Sequence, residues 1–249
     1  MIRLARPLVL AAALALSAMP AAAQDFSTAQ RGEIEKIIKD YLIKHPEVLQ
    51  EAMAELEKKQ QLAETEKARS AVKNHSDALF NSPRQVVLGN PQGDVTFVEF
   101  FDYNCGYCKR ALNDMVELMG KDPKLKVVLK EFPVLGPGSV EAAQVAVAVR
   151  MQDKTGKKYF EFHQKLLSGR GQVDKAKALA TAKEVGLDMA RIDKDLKSDE
   201  VSKTLEESMK LAEALGLNGT PSYVIGNDVV IGAVGQAQLS QKIQAARQQ

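Results

Sequence analysis

Two cysteines occur in the 249-residue chain, as Cys105-Gly106-Tyr107-Cys108, directly after the apolar run Val95 to Phe101. The run reads as a strand and the residues after it as a helix, so Cys105 falls at a helix N-terminus. Unpaired backbone N–H groups and the helix dipole favour a thiolate there. The thiolate is the nucleophile of thiol–disulfide exchange, and Cys108, one turn later, is placed to resolve a mixed disulfide. Three other chemistries compete with it. A structural zinc site takes about four ligands, and the three histidines, His45, His75 and His163, are scattered along the chain. A structural bridge closing so short a loop adds little entropic stabilisation. Two thiolates could also hold Cu(I), a soft ion content with few ligands. The leading reading is a redox dithiol; Cu(I) at Cys105 and Cys108 and the plain bridge stay open, and no other metal and no cofactor is expected.

Residues 1–23 have the three parts of a secretory signal: Arg3 and Arg6, the apolar stretch Leu8 to Leu16, and the small residues Ala21-Ala22-Ala23 before cleavage after about Ala23. No other segment approaches the ~20 apolar residues of a membrane span. Export, here to a periplasm, delivers the chain where disulfides persist. A secreted protein whose only cysteines form a CxxC is better suited to act on other proteins' disulfides than to need one. The chain carries 34 Lys+Arg against 32 Asp+Glu, and losing Arg3 and Arg6 leaves 32 against 32. A mature chain near neutrality, without a basic aromatic cluster, is not expected to bind nucleic acid.

The elements that must position the dithiol follow. From Asp25 to about Ser82 there is no strand signal. Ile34, Ile37, Ile38, Tyr41 and Leu42 fall at helical spacing, as do Val48, Leu49, Ala52, Met53 and Leu56, while Leu42, Leu49 and Leu56 recur every seven residues. Pro46 suits the first turn of a second helix. Glu57 to Lys67 reads as a solvated helix or a flexible linker. An apolar stripe with no partner invites self-association or packing back on its own domain. From Pro83 the pattern alternates: strands Val86–Leu88, Val95–Phe101 and Leu125–Phe132, with a helix from Cys105 to about Met119 between the last two. A helical stretch runs from about Ser139 to Leu215, then a hairpin, Ser222–Ile225 and Val229–Ile231, and a last helix. The fold class is α/β, a parallel βαβ unit interrupted by a helical insertion. The domains are a signal peptide (1–23), a helical oligomerisation segment and linker (24–82), and a catalytic domain (83–249) with its insertion at about 137–215.

Glu99 to Cys108, the sequence EFFDYNCGYC, resembles the strand-to-CxxC segment of DsbA-like proteins of the thioredoxin superfamily, and Gly219-Thr220-Pro221-Ser222-Tyr223 resembles their cis-proline loop. The resemblance implies a thioredoxin-like fold and a thiol:disulfide oxidoreductase. It also implies that Pro221 is cis and that Thr220-Pro221 faces the CxxC and pairs with substrate backbone. Gly106 and Tyr107 would tune the potential and meet substrate, and Glu99 would assist proton transfer to the buried cysteine. Phe26 to Leu56, including Tyr41 to Leu49, resembles the N-terminal domain of the suppressor-of-copper-sensitivity (ScsC) family. That implies a trimer, disulfide isomerase activity on misfolded exported proteins, a link to copper tolerance, and a membrane thiol reductase (ScsB/DsbD-like) as partner. The alternatives are a monomeric DsbA-like oxidase and a copper-sequestering protein.

Other residues have blander readings. Lys130 and Glu131 could lie near Glu99 or form a charged pair facing an edge. Tyr159, Phe162, His163 and Leu166, at helical spacing, read as the core of the insertion.

Overall fold

The computed structural model describes residues 26–248, so the signal sequence at 1–23 lies outside the described residues. The chain divides into two compact units, one ending at Glu57 and the other beginning at Lys58.

In the first unit, α1 (Thr28–Lys44) opens on a capping box. Ser27 N–H donates to Gln30 Oε1 (2.9 Å), and Gln30 N–H donates to Ser27 Oγ (3.3 Å). This satisfies two N–H groups that a helix start leaves orphaned. The helix stops at His45, Pro46 follows, and α2 (Glu47–Asn74) begins. α1 has no buried residue. Ile34, Ile37, Ile38, Tyr41, Ile43, Leu49, Met53 and Leu56 are all exposed, although burying such a side chain is worth ~1.5–3 kcal/mol.

The second unit takes in the rest of α2, which is helical through Asn74 where the sequence left a linker open. Val72 and Leu79, the latter on α3 (Ser76–Phe80), are buried in it. Its centre is a five-stranded sheet of β1 (Val86–Gly89), β2 (Val95–Phe101), β3 (Leu125–Glu131), β4 (Ser222–Ile225) and β5 (Asp228–Ile231), in the order β1-β3-β2-β4-β5. β2 and β3 are parallel, joined by α4 (Gly106–Lys121); the other pairings are antiparallel. Between β3 and β4 come α5 (Pro137–Gln152), α6 (Lys157–Ser168), α7 (Lys175–Glu184), α8 (Met189–Asp195) and α9 (Asp199–Ala214), and α10 (Gln236–Ala246) ends the chain.

Side chains of a strand alternate between faces, and β2 divides its residues accordingly. Val95, Phe97 and Phe101 pack with α4, the insertion and α10. Val98 and Phe100 pack with Val72, Leu79 and the end of α9 at Leu211, Ala212 and Leu215. An apolar run buried on both sides is what a central strand requires. Glu99 shares the first face with Phe97 and Phe101, so its carboxylate is directed into the layer that holds α4.

Candidate redox site

Cys105 is the N-cap of α4, in extended backbone (φ −78°, ψ 116°), with no side chain capping the helix. The first-turn N–H groups are therefore free to face its sulfur. Both cysteines are free thiols and buried, Cys108 completely. The Thr220-Pro221 bond is cis, and Cys105 Sγ lies 3.1 Å from the Thr220 carbonyl oxygen, to which it donates only when protonated. The structure thus brings together two motifs separated by the whole insertion. Tyr107 projects into solvent, 59% exposed, with the Arg110 guanidinium 4.4 Å over its ring. A side chain at Gly106 would meet nothing within 4 Å, so the approach to Cys105 is open there.

The two thiols are driven apart electrostatically. The Cys105 pKa is lowered to about 5 from 9.0: the hydrogen bond from Cys108 outweighs burial, and the Thr220 side chain and the backbone N–H groups of Cys108 and Tyr107 contribute further. Cys108 is raised far above its ordinary value by the same hydrogen bond, by burial and by Glu99. One is a thiolate at neutral pH and the other keeps its proton.

Glu99 is 2% exposed on β2, between Leu129 on β3 and Tyr223 on β4. Burial first, then the charges of Asp114 and Cys105, push its pKa up to about 8. Its Oε2 and the Tyr223 hydroxyl have no hydrogen-bond partner. The buried Tyr223 lies two residues past the cis proline, its own pKa raised by burial and then by Glu99. A buried acid that can exchange a proton near neutral pH therefore acts electrostatically on the buried thiol.

Lys130 and Glu131 do not join Glu99, and neither faces an edge. Lys130 points to the opposite face, where Nζ donates to the Ala78 carbonyl (2.7 Å) and lies 3.5 Å from Glu207. Glu131 accepts from the Tyr159 hydroxyl (2.5 Å). Both are buried, because β3 lies between β1 and β2. Tyr159, Phe162, His163 and Leu166 form core, as their spacing predicts. Burial lowers the His163 pKa to about 3, and its Nδ1 lies 3.4 Å from the Tyr103 hydroxyl.

Sequence reasoning missed Asp102 and Asn104, inside the quoted motif. Asp102 is buried and accepts from Asn104 N–H (2.7 Å), Val134 N–H (2.9 Å), Leu135 N–H (3.0 Å) and Ser139 Oγ (2.7 Å). Asn104 Nδ2 donates to the Val173 carbonyl (2.9 Å) and Oδ1 accepts from Val173 N–H (2.7 Å). At Gly138 a Cβ would come within 2.9 Å of the Val173 carbonyl, so the close approach of the loops requires glycine. The usable signal was spacing: Asp102 stands three residues before the α4 N-cap, where Asx side chains commonly order a turn.

A DSBA-like thioredoxin domain family matches residues 96–244, and the copper resistance protein ScsC N-terminal domain family matches residues 30–63. A thioredoxin-like oxidoreductase from Silicibacter pomeroyi DSS-3 is 45% identical, covering 70% of this chain and 98% of its own, with a TM-score of 0.66. ScsC of Proteus mirabilis in a transitional conformation is 29% identical, covering 90% and 99%, with a TM-score of 0.65. The thiol:disulfide interchange protein DsbA of Bordetella pertussis is 29% identical over 139 residues, 54% of this chain and 64% of that protein. The Na(+)/H(+) antiporter NhaA 1 of a Mycobacterium (strain KMS) is 26% identical over 171 residues, 66% of this chain, and the match spans only 27% of the antiporter.

Proposed function

The chain belongs to the DSBA-like thioredoxin domain family, and we propose that it is an exported thiol–disulfide oxidoreductase acting as a protein disulfide isomerase. The Cys105 thiolate attacks a disulfide of a misfolded exported protein, forming a mixed disulfide and releasing one substrate thiolate. That thiolate attacks elsewhere in the substrate until Cys105 is displaced, which rearranges bonds with no net oxidation. When it does not, the Cys108 thiol gives its proton to Glu99 in the fraction of molecules where that acid is ionised, a fraction that grows toward pH 8, and attacks Cys105 Sγ. The substrate then leaves reduced and Cys105–Cys108 is left as a disulfide. Thr220 and Pro221 present backbone to an extended substrate strand, and Gly106 and Tyr107 form the open side of the approach.

The observation that carries the isomerase reading is the uncovered apolar face of residues 34–56, in a segment matched by the ScsC N-terminal domain family. Such a face is buried by self-association, and the ScsC resemblance makes the assembly a trimer. Clustered catalytic domains hold one substrate between several thiolates and keep it from oxidising partners. In this reading residues 1–23 are a signal peptide, 24–82 the oligomerisation segment and linker, and 83–249 the catalytic domain, in the periplasm. A membrane thiol reductase of the ScsB/DsbD type keeps Cys105 reduced. Copper tolerance follows from the same thiols, which repair copper-induced mispairing or hold Cu(I) at Cys105 and Cys108.

One observation favours the monomeric oxidase instead: a strongly stabilised Cys105 thiolate makes the Cys105–Cys108 disulfide a better oxidant. The redox form trapped with an alkylating reagent in the native host separates the two. A mostly reduced protein supports the isomerase; a mostly oxidised one overturns it in favour of the oxidase.

A further inference from the structure

Around the redox loop four cations occur with no carboxylate ion-paired to them. Lys109 and Arg110 follow the CxxC directly on α4. Lys109 Nζ donates to the Gly169 carbonyl (3.0 Å) and Lys177 Nζ to the Arg170 carbonyl, so both ammonium groups gather at the connection between α6 and α7. That connection also carries the exposed Arg170. It borders the redox loop through the two Asn104–Val173 hydrogen bonds. On the solvent side of the same turn, the Arg110 guanidinium lies over Tyr107. Among the described residues none of these four has an ion-pair partner, whereas nearby Lys165 pairs with Glu184. Of the neighbouring acids, Asp174 accepts from Lys177 N–H and Glu141 from Lys175 N–H, and Asp114, one turn after Arg110 on α4, makes no ion pair with it.

A surface charge is usually a mobile, solvated one. Lys109 and Lys177 differ, because their ammonium groups are tied to carbonyls of one loop and the charge stays on the connection that borders the redox loop. A mature chain with equal numbers of acids and bases makes this local concentration more telling. The opposite bank of the redox loop is apolar. Val134 and Leu135 are 41% and 50% exposed, and Asp102 anchors their backbone N–H groups three residues before Cys105.

We propose that this rim docks an acidic segment of a partner polypeptide carrying the target disulfide. Its carboxylates meet Lys109, Arg110, Arg170 and Lys177, and an apolar side chain rests on Val134, Leu135 and Tyr107. This rests on the redox reading above, and adds what kind of chain the site takes. Charge complementarity of this type acts mainly on the rate of encounter.

The test uses the mature chain, reduced, and two peptides that differ only in flanking Glu or Lys. Each carries one cysteine as a mixed disulfide with a chromogenic thiol. The Cys105 thiolate attacks the peptide sulfur and displaces the chromogenic thiolate, one S–S bond replacing another. The acidic peptide reacts about tenfold faster at low ionic strength, and the ratio falls toward one near 1 M salt, where screening is complete within ~3 Å. In R110E/R170E the preference, taken as the ratio of the acidic to the basic peptide within that variant, reverses. Equal rates, a faster basic peptide, or a ratio indifferent to salt overturns the docking surface and leaves the redox reading standing. The salt series on the unaltered chain decides the matter should the double variant fail to fold. Release from neither peptide, or release that survives C105S, overturns the redox reading itself.

Discussion

Replacing Glu99 by Gln should stabilise the reduced protein, and only above a definite pH. Glu99 has a folded pKa near 8 against an ordinary 4.5, chiefly because burial penalises its charge. Below 4.5 the group is protonated in both folded and unfolded chains and contributes nothing pH-dependent. Between 4.5 and 8 the unfolded chain ionises while the folded one holds its proton, so stability falls by ~1.4 kcal/mol per pH unit. The penalty is ~3 kcal/mol at pH 7 and saturates at ~5 kcal/mol above pH 8. Gln cannot ionise, so E99Q escapes the whole of it, apart from a constant offset for placing an amide where Oε2 is unpartnered. Urea unfolding of reduced wild type and E99Q from pH 4 to 9 reads the difference. It should climb with pH through that window and flatten on either side. The climb should be smaller for the oxidised protein, since the Cys105 thiolate supplies part of the shift. A difference independent of pH, or one that favours wild type increasingly toward pH 8, would refute a buried, neutral Glu99.

Alkylation of the reduced protein should occur at Cys105 alone, its rate rising with a midpoint near pH 5 instead of near 9; a midpoint above 7 removes the thiolate from the account. Asp102→Ala abandons four hydrogen-bond donors and should cost ~3 kcal/mol or more, with faster amide exchange at Val134 and Leu135 as the local signature. Wild-type exchange rates there in the variant would contradict the anchoring role. Tyr223→Phe removes a buried hydroxyl without a partner, so it should be neutral or stabilising by ~1 kcal/mol in the same urea assay. A loss of ~2 kcal/mol or more would mean that the hydroxyl is bonded.

Most of the fold and the core of the site were legible in the sequence because they depend on local pattern. The apolar run Val95–Phe101, the Cys105 helix start, the glycine-punctuated helices and the closing hairpin each follow from spacing, and the Thr220-Pro221 loop from its motif. Period-two alternation was less usable in a central strand, where both faces are apolar and hide which residues share a side. It is why Lys130 and Glu131 could not be separated from Glu99 until the pairing of β2 with β3 and β4 was known. The Asp102 and Asn104 contacts reach residues over thirty and about seventy positions away, distances at which nothing in one sequence reports proximity. Glu57 to Lys67 left helix and linker undecided, since a polar run rich in Glu, Lys and Gln suits a solvated helix as well as a flexible chain.

The most direct test is reactivation of a scrambled-disulfide protein by the mature, reduced chain in a mild redox buffer, beside C105S. Activity that returns with the wild type and not with C105S is the result predicted for an isomerase built on the Cys105 thiolate. Failure to reactivate, with rapid oxidation of a reduced substrate by the disulfide form, would contradict it.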